Sequence, residues 1–184
     1  MPLSTPVARK PFHTRKIELN GYAREDGLWD IEARMIDTKH YEFPNRFRGN
    51  IQPGEHLHEM WLRLTLDDSM TIRAAEATTE WSPFPSCPGA ADSYRKLVGL
   101  KIGPGWTDRV KERIASTSGC THLTELLRPL ATVAYQTILS PRRNEDAPDD
   151  ERRPALLDTC RGWRAEGEAV QQIHPKWYRE PGTS

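Results

Sequence analysis

Nowhere in this chain do apolar residues run for the roughly 18 positions that a membrane-spanning helix needs. Residues 1–11 hold no apolar stretch of signal-peptide length, so a cytoplasmic protein is expected. Cysteine is scarce and scattered: Cys87, Cys120 and Cys160 form no Cys-x-x-Cys pair. That spacing argues against a zinc knuckle or a redox couple and points to reduced thiols. Neither charge dominates, with 26 Lys plus Arg against 26 Asp plus Glu. Nothing therefore pulls the chain as a whole toward nucleic acid or an anionic membrane. G-x-S-x-G, H-E-x-x-H and G-x-G-x-x-G are absent, which lowers the standing of common hydrolase, zincin and dinucleotide chemistry. Gly103-Pro104-Gly105 lacks the Gly-Lys-Ser/Thr ending of a phosphate loop. With 36% apolar residues and a mean hydropathy of -0.73 over 184 residues, one modest core is possible and two large ones are not.

Six tryptophans are present, many for this length and suited to aromatic ligands or partners. Residues 1–11 hold three prolines and read as a flexible arm. Two extended segments, at about 13–24 and 28–42, flank the turn-prone Glu25-Asp26-Gly27, a hairpin signal. In the second, Trp29, Ile31, Ala33 and Met35 share one face and Asp30, Glu32 and Arg34 the other. A loop over 44–54 follows, then a strand in which His56, His58, Met60, Leu62 and Leu64 alternate with Leu57, Glu59, Trp61 and Arg63. A turn at Asp67-Asp68-Ser69 leads to a returning strand over 70–81. Beyond the proline-rich connector at 83–88, short helices are predicted at 90–98 and 106–115, with Thr107 capping the second. Leu123, Leu126, Leu127, Leu130, Ala134 and Ile138 predict a longer amphipathic helix over 121–139, capped by Thr121 and kinked by Pro129.

The fold class expected is α+β: an antiparallel meander packed against one long and two short helices, with a C-terminal hairpin. The domains expected are a flexible arm (1–11), a core α+β domain (12–140), a charged linker (141–154) and a hairpin (155–180) packing on the same domain or a partner. An open sheet edge and the added hairpin favour a homodimer.

Several residues carry chemistry. His56 and His58, two apart on a strand, point to one side with a spacing used for metal ligands. His13, His40 or His122 would supply a third. The plainer readings of His58 are a catalytic base and a hydrogen-bonded structural histidine. Asp30 and Glu32 share a strand face and are either a base with its orienter or a solvated ion-pair face. With the long helix on one side of the sheet, a concave site on the other would hold Asp30, Glu32, Trp61 and Arg63. Cys120 and His122 at a helix start form a conceivable thiol–imidazole pair, with helix capping as the bland alternative.

The strings GYAREDGLWDIEARMIDTKHYEF, GEHLHEMWLRLTLD, PFPSCP, GLKIGPGW and GCTHLTELLRPLATVAYQT, in that order, resemble the bacterial family of domain of unknown function 2889 over about residues 13–139. The resemblance implies a place in bacterial catabolism of lignin-derived aromatics. It further implies a cofactor-independent carbon–carbon lyase that releases formaldehyde from a phenylcoumaran-type dimer to give a stilbene. Such chemistry needs one base, one group to steady a phenoxide, and aromatic walls, with no metal and no cofactor. The catalytic candidates are then His58, Asp30, Glu32 and Arg63. The substrate-binding candidates are Trp61, Trp106, Lys39, Tyr94 and His122. The partner expected is a small aromatic substrate, with no nucleic acid and no membrane. Two other classes stand beside this one: a non-catalytic ligand-binding or assembly protein, and a metal enzyme built on His56 and His58. His56 lies where the family resemblance predicts no fixed histidine.

Overall fold

The computed structural model describes residues 3–114, 117–142, 153–154 and 156–182, with side chains as far as 139 in the long helix. The chain divides into two compact units, Met1–Ile138 and Leu139–Ser184.

The first unit is an α+β structure. Four antiparallel strands in the order β1-β2-β5-β6 form its main sheet: β1 (His13–Ala23), β2 (Trp29–Lys39), β5 (His56–Leu66) and β6 (Ile72–Trp81). The Asp26-Gly27 turn closes the first hairpin, with Gly27 at φ 80°, where a side chain would be strained. Asp26 also accepts the Leu28 N–H at 3.3 Å. That turn fixes an uninterrupted register from Ala23↔Trp29 to His13↔Lys39. The loop expected over 44–54 contains a small ribbon, β3 (Phe43–Asn45) with β4 (Gly49–Ile51). Runs of three residues interrupted by Pro44 and Gly49 are too short to show a period of two.

On β2 and β5, Ile31, Ala33, Met35, Met60, Leu62 and Leu64 are buried on the inner face. The apolar stripe of the long helix α2 (Thr121–Arg142) is buried as well: Leu123, Leu126, Leu127, Leu130, Ala134 and Ile138. Two apolar faces of this kind are stable only against one another. Gly21 allows the close approach: a Cβ there would lie 2.0 Å from Thr137 Oγ1 and 2.9 Å from Thr137 Cβ. Gly21→Ala is accordingly expected to lower the unfolding free energy by about 1–3 kcal/mol, read by urea denaturation. An unchanged midpoint would show that strand and helix separate at no cost.

In sequence, a 3-10 segment (Cys87–Leu97) and α1 (Trp106–Arg113) connect the sheet to α2. Thr107 does not cap α1; Gly105, at φ 74°, precedes a helix that already starts at Trp106. Thr121 likewise lies inside α2, whose first carbonyl acceptor is Cys120, bonded by the Thr124 N–H at 2.9 Å. The helix runs on through Pro129 and forgoes the one hydrogen bond that the proline cannot donate.

The second unit corrects the expectation of a C-terminal hairpin. Its described residues contain a 3-10 turn (Arg161–Trp163), α3 (Glu168–Ile173) and a second 3-10 turn (Pro175–Trp177), and no strand. Leu157, Ala165 and Val170 are buried together, with Trp163, Trp177 and Tyr178 packed against them. Ala169-Val170-Gln171-Gln172 suits a helical turn, and His174-Pro175 ends it. Most of the expected linker at 141–154 lies outside the described residues. Residues 3–12 form no regular element. Among the described residues no helix is long and apolar enough to cross a membrane.

Candidate functional site

The antiparallel register places Arg15, Asp37 and His58 side by side on β1, β2 and β5, all on the inner face. Burying a carboxylate to 1% exposure is costly unless its oxygens are bonded. Here Arg15 donates from Nε to Asp37 Oδ1 and from Nη2 to Oδ2, both at 2.8 Å. His13 lies 3.3 Å from Oδ1. His58 Nδ1 lies 3.0 Å from Oδ2. Burial alone would raise the Asp37 pKa, but Arg15 first and His58 second hold it below the ordinary carboxylate value. As an ionised carboxylate it can only accept, so His58 Nδ1 carries the proton and Nε2 keeps its lone pair.

The first turn of α2 completes the cluster. His122 sits against His58 with ring centroids 4.1 Å apart. Arg15 reaches across to Glu125 at 3.1 Å and so ties helix to sheet. Burial, followed by the neighbouring His122, lowers the His58 pKa to about 4, against which Asp37 pulls upward. Burial and then Arg15 also lower that of His122. Both imidazoles are therefore neutral at pH 7. The sign for stability follows: below the ordinary histidine pKa the unfolded chain takes up protons that the native rings refuse. Stability is expected to fall by on the order of 3 kcal/mol between pH 7 and pH 4 through His58 alone. Urea midpoints across that range would check it, with His58→Gln reducing the slope and leaving the part that belongs to His122.

His58 and His122 line a cavity of about 740 Å³ whose walls include Phe84, Cys87, Lys96 and Cys120. That volume lies in the range of small-molecule sites, and the mixture of apolar wall and a few polar groups is typical of them. Cys120 Sγ lies 3.9 Å from His122 Nδ1 and 3.8 Å from Met60 Sδ, a loose contact on a half-buried thiol. Tyr94 supports the wall from behind: its hydroxyl donates to the Cys120 carbonyl at 2.8 Å and bonds Thr124 at 2.7 Å.

The residues singled out from the sequence divide between the two sheet faces. His58 and His122 meet in the cavity. Asp30, Glu32, Trp61 and Arg63 lie on the opposite face. There Arg63 donates to Glu32 at 2.7 Å, and Thr65 and Arg24 hold Asp30 at 2.6 and 3.2 Å. Arg63 also reaches Glu76, and a shallow groove of about 420 Å³ runs past Glu32, Trp61 and Arg63. The other candidates have structural surroundings. Trp106 is buried with its indole N–H donating to the Leu127 carbonyl at 3.3 Å. Tyr94 is fully buried, and Lys39 lies 5.8 Å over the Tyr41 ring.

His56 does not join His58. The register break at Asp37/Thr38, where Leu57 is the extra residue on β5, turns His56 toward Glu59, at 2.7 Å, a carboxylate that Arg34 also holds. Asp37, His58 and His122 are the described residues whose ligand atoms come together, all within 4.8 Å of one another. Sequence reasoning passed over Asp37 and Arg15, although both signals were present. Asp37 is the acid that ends the apolar alternation Ile31, Ala33, Met35, and the Asp26-Gly27 turn makes Arg15 its cross-strand partner.

A family model described as protein of unknown function (DUF2889) matches residues 13–136. No curated protein and no solved structure matches the chain.

Proposed function

Since the chain belongs to the DUF2889 family, and its inner-face cavity joins a neutral imidazole to an ionised carboxylate, we propose that it is a cofactor-independent carbon–carbon lyase. The substrate is a phenylcoumaran-type aromatic dimer of bacterial lignin catabolism, and the products are formaldehyde and a stilbene. The observation that carries the reading is His58, held by Asp37 through Nδ1 with Nε2 free, in the wall of a cavity of about 740 Å³.

In this scheme His58 Nε2 takes the proton of the primary alcohol. The carbon–carbon bond to the hydroxymethyl group breaks, and the alkoxide leaves as formaldehyde. The released electron pair forms the stilbene double bond and breaks the ring ether, leaving a phenoxide. The phenoxide takes the proton back from the imidazolium, so atoms and charge balance. Asp37 orients His58 and steadies its cationic form, while Arg15 keeps Asp37 ionised. Of the groups expected to steady the phenoxide, His122 lines the cavity, and Lys96 adds a cation there. Phe84 is the aromatic ring in that lining; the tryptophans expected as walls lie elsewhere.

A second reading has its own observation, the convergence of Asp37, His58 and His122 on a space where a divalent metal would fit two imidazoles and a carboxylate. The Arg15 guanidinium weighs against it, because it neutralises the carboxylate and would face the metal's charge. Purified protein stripped with chelator and given a phenylcoumaran dimer tests both. Formaldehyde with stilbene absorbance from metal-free protein supports the base mechanism. Turnover that returns only with added metal supports the second reading. No product from folded protein leaves a ligand-binding or assembly protein.

A further inference from the structure

β1 is an edge strand of eleven residues: among the described residues nothing pairs with its outer side. Exposed edges are usually blunted by proline, a bulge or charged side chains, inward-pointing ones included. β1 has no proline, and its register with β2 runs through all eleven residues without a break. Its charges are compensated: Arg15, on the inner face, is neutralised by Asp37, and Lys16 has Glu18 two residues later on the other face.

The hydrogen bonds at the two ends of the hairpin show which backbone groups are free. The Arg24 N–H donates to the Leu28 carbonyl at 2.9 Å, and the His40 N–H donates to the Phe12 carbonyl at 3.2 Å. Even-numbered residues of this strand therefore face β2, and the alternation of an antiparallel ladder turns the odd-numbered ones, Arg15, Ile17 and Leu19 among them, outward. A second copy approaching antiparallel about a two-fold axis must match odd residues with odd residues. The axis must then pass through a residue, not between two.

Charge selects which residue. An axis through Arg15, Lys16 or Glu18 sets like charges opposite each other. An axis through Ile17 sets Lys16 of each copy opposite Glu18 of the other, in the non-hydrogen-bonded pairs where side chains are closest. It also brings together two Ile17 side chains that are 45% exposed in the single chain.

We infer that two copies of this protein join edge to edge through β1, with the two-fold axis at Ile17, to make one continuous eight-stranded sheet. Such an axis is perpendicular to the sheet, so both α2 helices and both His58 cavities lie on the same side.

The test is sedimentation velocity of the full chain over a concentration series, with melting curves as a control for folding. Wild-type protein is expected to dimerise. Lys16→Glu and Glu18→Lys are each expected to raise the dimer dissociation constant about tenfold, since each places two like-charged pairs across the axis. Combining the two restores opposite charges and should return the wild-type constant. A wild-type monomer at every concentration would overturn the inference. So would a dimer indifferent to the single reversals, or a double variant no tighter than either single one.

Discussion

Asp37→Ala is expected to lose about 3 kcal/mol of unfolding free energy, more than any other single carboxylate truncation in the sheet. Asp37 is 1% exposed and satisfies Arg15 twice, together with His58 and His13. Removing it leaves a half-buried guanidinium with Glu125 alone and an imidazole without its acceptor. Breaking a buried pair from one side is costly because the remaining charge keeps its desolvation penalty. The comparison is Asp30→Ala on the outer face, whose partner Arg24 is exposed to water. There the loss should stay within about 1 kcal/mol. Equal losses in paired urea titrations would mean that the inner cluster is no better insulated from water than the outer one.

His58→Gln should leave the fold near its wild-type stability and lower turnover by about 10²–10⁴-fold. Glutamine keeps a donor toward Asp37 but has no basic lone pair. If His58 is the base, kcat falls and KM changes little, because what is lost is proton transfer and not binding. Asp37→Asn should give a smaller version of the same loss, by permitting the tautomer that hides the basic nitrogen. A His58→Gln enzyme with full kcat would assign the proton transfer to another group, with His122 the neighbour in the same cavity.

The strands and the long helix were legible because each rests on a local signal. Asp26-Gly27 marks the first turn, alternation marks β2 and β5, and a stripe of leucines marks α2. The small ribbon at Phe43–Asn45 and the helical turns after residue 160 lack such a signal over enough residues. The candidate site was half legible. Alternation separates the faces of a sheet, yet the catalytic set read from the sequence grouped His58 with Asp30, Glu32 and Arg63, which the register places on the opposite face. Alternation does not tell which face receives a cavity. That cavity is walled by β5, the Pro83–Cys87 connector and the start of α2, segments far apart in sequence. Long-range assembly of this kind leaves no periodic trace. The carboxylates that looked catalytic are bound in ion pairs with Arg24 and Arg63, whereas the one that orients His58 ends an apolar alternation.

The most direct test of the cavity as the catalytic site sets His58→Gln beside Glu32→Gln in the same formaldehyde-release assay, with chelator-treated protein and a phenylcoumaran dimer. The account predicts that His58→Gln loses turnover while Glu32→Gln keeps it, since Glu32 lies across the sheet in an ion pair with Arg63. Loss of formaldehyde release in Glu32→Gln with activity retained in His58→Gln would contradict the account and move the chemistry to the outer groove.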